Sequence, residues 1–155
     1  MSHDEIEAVI REYIPQIIHL SLATVKDGRP WVCEVHFAYD DGLNLYFGSS
    51  ANSRHAQELI ANPHVAGNIV TQHHKNQKVR CVDFEGTARM LDAKQAEAVA
   101  FPVYTERFGA AKNLLDEIRK DGHMRFFKIS VDSFYLFDSY GDERKKHALP
   151  WGGGV

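Results

Sequence analysis

Apolar and polar side chains alternate over residues 18–25, 31–39 and 43–48, which is the two-residue period of a β-strand. The first two runs are separated by Asp27-Gly28, and the next two by Asp41-Gly42. Asp-Gly pairs between alternating runs are typical of tight hairpin turns. The first half of the chain is therefore predicted to form a three-stranded antiparallel meander.

Helical periodicity flanks this meander. Ser2 and Glu5 have the spacing of an N-terminal capping box, and a short helical pattern over residues 54–61 stops at Asn62-Pro63. Asp92 is expected to cap a helix that ends at Pro102. One continuous helix is then expected to end before Gly122, with an apolar stripe made of Tyr104, Phe108, Ala111, Leu115 and Ile118.

The remaining alternating runs are residues 65–71, 79–91, 125–131 and 133–138. Six or seven strands in antiparallel hairpins, with helices at the crossings, predict an α+β fold that is mainly β, with its sheet curled into a barrel. Since no linker or change of composition interrupts the chain, residues 1–155 are predicted to form one domain.

Composition narrows the function classes. The net charge is −3 and the longest basic run is Arg144–Lys146, which argues against nucleic acid or an anionic membrane as the main partner. The apolar runs are too short to span a bilayer, and the acidic N-terminus does not resemble a secretory signal. Cys33 and Cys81 are isolated, as expected for buried thiols in a reducing compartment. We therefore expect a cytoplasmic protein.

The candidate chemistry lies where the third strand meets the short helix. Ser49, Ser50, Asn52 and Ser53 place hydroxyl and amide groups there, and Arg54 adds a guanidinium. Free backbone N–H groups and the positive end of the helix dipole attract an anion, and arginine matches phosphate oxygens. The alternative is that Asn52 or Ser53 only caps the helix while Arg54 is solvated.

Several segments of this sequence have the order and spacing that one protein family shows. They are residues 22–30, the strand 31–37, the turn Asp41-Gly42, residues 49–56 with their Ser-Arg-His-Ala core, and residues 62–66 and 84–91. This set resembles the FMN-binding split β-barrel of the pyridoxamine 5′-phosphate oxidase-like superfamily. The resemblance implies a homodimer with cofactor sites at the subunit interface. We expect the second subunit to cover a sheet face rich in Trp31, Phe37, Tyr39 and Phe84.

The resemblance also implies roles for particular residues. It assigns the FMN phosphate to Ser49, Ser53, Arg54 and His55. His55 stands where relatives often have lysine, so its contribution is expected to weaken as it deprotonates. The flavin ring is implied to lie along the second strand, next to backbone groups of Val32, Cys33 and Glu34.

Two further segments are implied to reach the flavin of the partner chain. One contains Arg80 and Cys81, and the other is the C-terminal tail with Lys145, Lys146 and Trp151. A lysine there would stabilise reduced flavin, and Trp151 would cover the ring. The alternatives are that the lysines form a solvated charge run and that the tail packs on its own subunit for stability.

An FMN-dependent oxidoreductase acting on an unidentified small molecule is the function that this resemblance implies. A flavin-binding protein without turnover, for storage, sensing or stress response, is one alternative, and a haem-binding barrel is another. A deazaflavin could replace FMN.

True pyridoxamine phosphate oxidases carry a C-terminal segment of arginine and histidine residues that grips the substrate phosphate. Residues 150–155 offer no equivalent, so that specific activity is not expected. The adjacent His73 and His74 would point opposite ways in extended chain, so no metal site is expected.

Overall fold

The computed structural model describes residues 1–109, 112–120, 122–140 and 144–152. Within them the chain forms five α-helices and eight strands. The helices are α1 (His3–Tyr13), α2 (Arg54–Ala61), α3 (Ala93–Gln95), α4 (Phe101–Phe108) and α5 (Lys112–Arg119). The strands are β1 (His19–Lys26), β2 (Arg29–His36), β3 (Ala38–Tyr39), β4 (Leu45–Ser50), β5 (His64–Ile69), β6 (Arg80–Met90), β7 (Met124–Asp138) and β8 (Lys146–Pro150).

All strands belong to one antiparallel sheet in the order β2-β1-β5-β6-β7-β4-β3. The long β7 pairs with β4 along its first half and with β8 along its second half. The sheet curls around a hydrophobic core, and helices flank it. This confirms the predicted fold class, a mainly β split barrel, and the tail supplies a strand that the sequence pattern did not indicate. In the described part of the chain, no helix is long and apolar enough to cross a membrane.

The first hairpin has the predicted turn. Lys26 pairs with Arg29, so Asp27 and Gly28 form a two-residue loop. Their φ angles are 52° and 72°. Positive φ at both positions is what the favoured two-residue hairpin turn requires, and Asp-Gly satisfies it at low cost. The turn fixes the register of β1 and β2 and therefore which side chains of β2 face the core.

Two expectations for the helices are wrong. Pro102 does not end a helix, because a π turn at Ala96–Ala100 joins α3 to α4 and the Phe101 N–H bonds the Ala96 carbonyl. The wider turn accommodates the ring and the missing N–H of proline. The expected continuous stripe is broken after Phe108, since Gly109 has a φ of 75°. Ala111 lies outside the described residues.

The core accounts for aromatic residues that were expected at a dimer interface. Phe37 and Phe84 are at most 2% exposed and belong to the chain's own core, as does the half-buried Tyr39 at its margin. Trp31 alone of that set is exposed, at 39%. The expectation that a partner covers these four rings is therefore wrong for Phe37 and Phe84, which the chain's own core already covers. Cys33 packs against the core, as expected for a structural thiol.

The two final alternating runs of the sequence form the single strand β7. The register against β6 shifts between Glu85 and Gly86, which leaves Asp132 as the extra residue of a bulge. A side chain on Gly86 would collide with the backbone of Ser130, so only glycine fits this close approach. The carbonyl of Asp132 accepts a hydrogen bond from the Trp151 N–H at 2.7 Å, which attaches the tail to the bulge.

The tail packs on its own subunit, as the alternative interpretation held. Leu149 is 4% exposed and lies in the core, while Trp151 packs against the core margin. The Trp151 Nε1–H donates to the Gly42 carbonyl at 2.9 Å, and its ring meets Phe134 edge to face. Residues 141–143 and 153–155 lie outside the described part of the chain.

Candidate functional site

The N-terminus of α2 is built by the loop that follows β4. Ser53 caps the helix by accepting from the Ala56 N–H at 3.4 Å, and its own hydroxyl donates to the Ser50 carbonyl at 2.7 Å. The Asn52 amide lies 3.0 Å from Nδ1 of His123 instead. Ser53 is thus the capping residue, and the other backbone N–H groups of the first helical turn remain available to an anion.

His55 lies in the first turn of α2 and faces the same loop. Its Nε2 is 2.7 Å from the Ser49 hydroxyl and 3.2 Å from the Ser53 hydroxyl. Burial lowers the pKa of His55, and the charge of Glu58 opposes that effect only in part. The ring is therefore neutral at neutral pH in the structure as described. A bound anion would favour its protonated form.

Arg54 is held from two sides. Its Nε donates to Oε1 of Glu58 at 2.8 Å, and its guanidinium stacks over the ring of Trp31 at 4.1 Å from the centroid. The interpretation of Arg54 as merely solvated is therefore wrong, although half of its side chain is exposed. Since guanidinium stacking and carboxylate pairing both limit side-chain freedom, Arg54 is ordered before any ligand arrives.

Glu58 is the site residue that the sequence analysis missed. It is 7% exposed, and its Oε2 accepts from the Thr24 hydroxyl on β1 at 2.6 Å. The hydrogen bonds from Thr24 and Arg54 lower the pKa of this carboxyl, so it is ionised. The four-residue spacing of Arg54 and Glu58 on one helix was the available signal. The contact with Thr24 had none, because it joins residues far apart in sequence.

Strand β2 presents an open backbone edge beside this cluster, because β2 is at one end of the sheet order. The Phe37 N–H bonds the Ile18 carbonyl, and paired residues alternate in an antiparallel ladder. The backbone groups of Cys33 are therefore directed toward β1, whereas those of Val32 and Glu34 point to the open edge. Of the three residues implied as ring contacts, Cys33 has its backbone occupied by the ladder.

The donors and the open edge meet at Trp31, which is on β2 and carries the Arg54 guanidinium on its ring. Around this point the structure gathers two hydroxyls, an imidazole, a guanidinium and the N-terminus of a helix. These groups are all suited to donating hydrogen bonds to an anion, and phosphate has the geometry that arginine and helix N-termini favour. The donor set fits the phosphate end of FMN. The adjacent edge, with one apolar ring and free backbone groups, fits a planar heterocycle.

The other implied cofactor residues are not gathered here. Arg80 pairs with Asp138 at 2.9 Å, whereas its neighbour Cys81 is on the opposite face of β6. Lys146 forms an ion pair with Asp83, and Lys145 is exposed. Trp151 is seated on its own chain, so its expected place over a partner's flavin is not what the described residues show.

Comparison with known proteins identifies the family of this chain. UPF0306 proteins from Yersinia pseudotuberculosis and Yersinia pestis are each 24% identical over 113 residues, which is 72% of this chain and 76% of theirs. HutZ, the haem storage protein from Vibrio cholerae, has a TM-score of 0.64 at 22% identity over 96% of both chains. A haem-binding protein from Mycobacterium smegmatis has a TM-score of 0.75 at 19% identity over 99% of this chain and 60% of its own. Residues 6–138 match the model of the pyridoxamine 5′-phosphate oxidase family, and the chain belongs to that family.

Proposed function

We propose that this protein binds FMN and is an FMN-dependent oxidoreductase for a small molecule. The observation that carries the proposal is the stacking of Arg54 on Trp31, 4.1 Å from guanidinium to ring. It joins the anion-attracting helix N-terminus to the free edge of β2, so that one ligand with a phosphate and a flat ring could contact both. FMN has these two parts and supplies hydride or one-electron transfer when bound.

In this proposal each residue has a separate task. Ser49, Arg54 and His55 hold the phosphate through donated hydrogen bonds. Ser53 caps the helix, and its hydroxyl would have to leave the Ser50 carbonyl to donate to the phosphate as well. Val32 and Glu34 offer backbone groups to the edge of the ring. Glu58 orients the Arg54 fork and compensates its charge while no ligand is bound.

The experiment that tests the proposal starts from the absorption spectrum of the purified protein. Flavin absorption in the blue supports it, and a Soret band would replace it with a haem-binding function. Haem binding is a specific alternative, because two of the structures that share this fold are a haem storage protein and a haem-binding protein. If flavin is present, anaerobic addition of NADH or NADPH separates an enzyme from a passive binder. Bleaching of the bound flavin indicates a reductase.

The affinity for FMN is expected to rise as the pH falls from about 7.5 to about 5.5. Burial lowers the pKa of His55, so the ring is neutral at the upper pH, and a bound phosphate stabilises its protonated form. Binding then takes up a proton, and by linkage lower pH favours it. If the phosphate raises the pKa of His55 by about one unit, this residue contributes up to roughly a tenfold change.

Isothermal titration of wild type and His55→Gln across this range measures the effect. Glutamine keeps a donor but does not titrate, so its profile isolates the ionisation of FMN itself. Parallel profiles for the two proteins would exclude His55 from the phosphate site.

We also propose that the protein is a homodimer. The outer sheet face carries a shallow cavity of about 390 Å³ whose lining includes Ala23, Val32, Ala66 and Gly67. Small residues allow a second surface to approach closely, and Val32 is 61% exposed. Because Val32 also borders the free edge of β2, a second copy on this face would enclose the proposed flavin site. Light scattering at micromolar concentration is expected to give twice the mass of the chain, and a monomer with FMN bound would contradict this.

A further inference from the structure

A second polar cavity lies at the end of the barrel, away from the residues of α2. It has a volume of about 330 Å³, and we call it the Lys78 pocket. Its walls come from the end of α1 and the following turn, from the loop between β5 and β6 with the first residue of β6, and from Tyr140 shortly after β7. The side chains that matter below are Gln16, Gln72, Gln77, Lys78, Arg80 and Tyr140.

Positive charge collects at this pocket. Lys78 Nζ lies 5.6 Å from the centre of the Tyr140 ring, and the Arg80 guanidinium lies 4.9 Å from it. Asp138 pairs with Arg80 at 2.9 Å, but no carboxylate is among the described residues that line the cavity. Two cations around one ring repel each other, so an anion bound between them would lower the electrostatic energy.

Arg80 also has an unused hydrogen-bond donor. Its Nε is buried and has no hydrogen-bond partner among the described residues, while its Nη2 donates to Asp138. A buried donor without a partner is costly and calls for a specific explanation, such as a bound water or ion beside it. Among the residues that the structure describes, the Lys78 ammonium donates only to the Tyr140 carbonyl, at 3.4 Å, so it keeps further protons to donate.

The other residues that line the pocket indicate the chemistry of the part of the ligand beyond its anionic group. The glutamines Gln16, Gln72 and Gln77 also line the cavity, and an amide side chain can both donate and accept hydrogen bonds. The Gln16 Nε2 already donates to the Glu12 carbonyl, and the Gln77 Oε1 accepts from the His74 N–H, so these two amides offer mainly their other group to a ligand. Hydroxyl groups have the same double capacity, so this lining suits a polyhydroxylated compound. The volume accommodates a small metabolite and not a dinucleotide.

We propose that the Lys78 pocket binds a small hydroxylated phosphate monoester of the sugar-phosphate class, with Lys78 and Arg80 on the phosphate and the glutamines on the hydroxyls. The site is separate from the proposed flavin site, and no residue of the α2 phosphate cluster lines it.

Titration calorimetry of the purified full-length protein with ribose 5-phosphate tests the proposal. We expect Lys78→Gln to weaken binding at least tenfold, and unphosphorylated ribose to bind at least tenfold more weakly than the phosphate ester. Lys75→Gln is the matched control, since this exposed lysine is in the same loop but does not line the cavity. It should leave the dissociation constant unchanged, as should Arg54→Ala.

Each other outcome overturns the proposal. Absence of binding by the wild type, or an equal loss in Lys75→Gln, would leave only a charged surface. Loss of ribose 5-phosphate binding in Arg54→Ala would place the ester at α2, where it would compete with FMN. Failure of FMN to bind would not affect this test, because none of the residues proposed to hold the FMN phosphate lines the Lys78 pocket. The Lys78 variant should also retain whatever cofactor the wild type carries.

Discussion

Arg54→Ala is expected to weaken FMN binding by about 2–4 kcal/mol, or roughly 30- to 900-fold in dissociation constant. The reason is the loss of a guanidinium that the structure holds beside the helix N-terminus through Glu58 and the Trp31 ring. Fluorescence titration with FMN measures the change. Riboflavin has no phosphate, so its weaker binding should be nearly the same in wild type and variant.

The chain contains a closely matched control. Arg11 on α1 pairs with Glu7 at 2.7 Å in the same four-residue helical spacing, with its ring contact at Trp151 instead of Trp31. Arg11→Ala removes a comparable ion pair and cation–π contact but no phosphate donor, so its affinity for FMN should equal that of the wild type. An unchanged constant in Arg54→Ala would show that the phosphate is elsewhere.

Leu149→Ala is expected to lower the free energy of unfolding by about 2–4 kcal/mol without changing FMN affinity. Leu149 is 4% exposed and belongs to the barrel core, so truncation removes packed apolar surface and leaves a cavity. Urea unfolding followed by tryptophan fluorescence measures the loss. The volume-conserving variant Leu149→Met should cost less than about 1.5 kcal/mol.

The same pair of measurements decides what the tail does. If Leu149→Ala kept full stability and lost FMN instead, the tail would belong over the flavin, as the sequence had suggested. The hydrogen bond from Trp151 to Gly42 and the pairing of β8 with β7 favour a purely structural tail.

Local patterns predicted the features that depend on neighbouring residues. The turn at Asp27-Gly28 and the capping of α2 by Ser53 each follow from a few adjacent side chains, and both are confirmed. Pro102 was misinterpreted because proline usually ends a helix, and the π turn that accommodates it has no clear sequence signature. Alternation showed that Phe37 and Phe84 needed cover, but it does not distinguish a chain's own core from a partner.

The candidate site divides in the same way. The donors at residues 49–55 are contiguous, so the sequence indicated an anion site from the loop alone. The contacts that order Arg54 come from Thr24 through Glu58 and from Trp31. Thr24 and Trp31 are on β1 and β2, which lie well before this loop in the sequence. Only the curl of the sheet against α2 brings them together, and such distant contacts leave no period or spacing to recognise.

The position of β7 has a consequence for how the protein folds during synthesis. β7 is the common neighbour of β4, β6 and β8. Leu45 on β4 pairs with Ile129 on β7, so this pairing cannot form until Ile129 has been synthesised. While the ribosome is still making the helices between β6 and β7, β4 and β6 each lack the neighbour that will pair with one of their edges. Distant pairings of this kind slow folding and leave edges free for aggregation. We therefore expect nascent chains stalled before Asp138 to be bound by chaperones, and release from them to follow the emergence of this one strand.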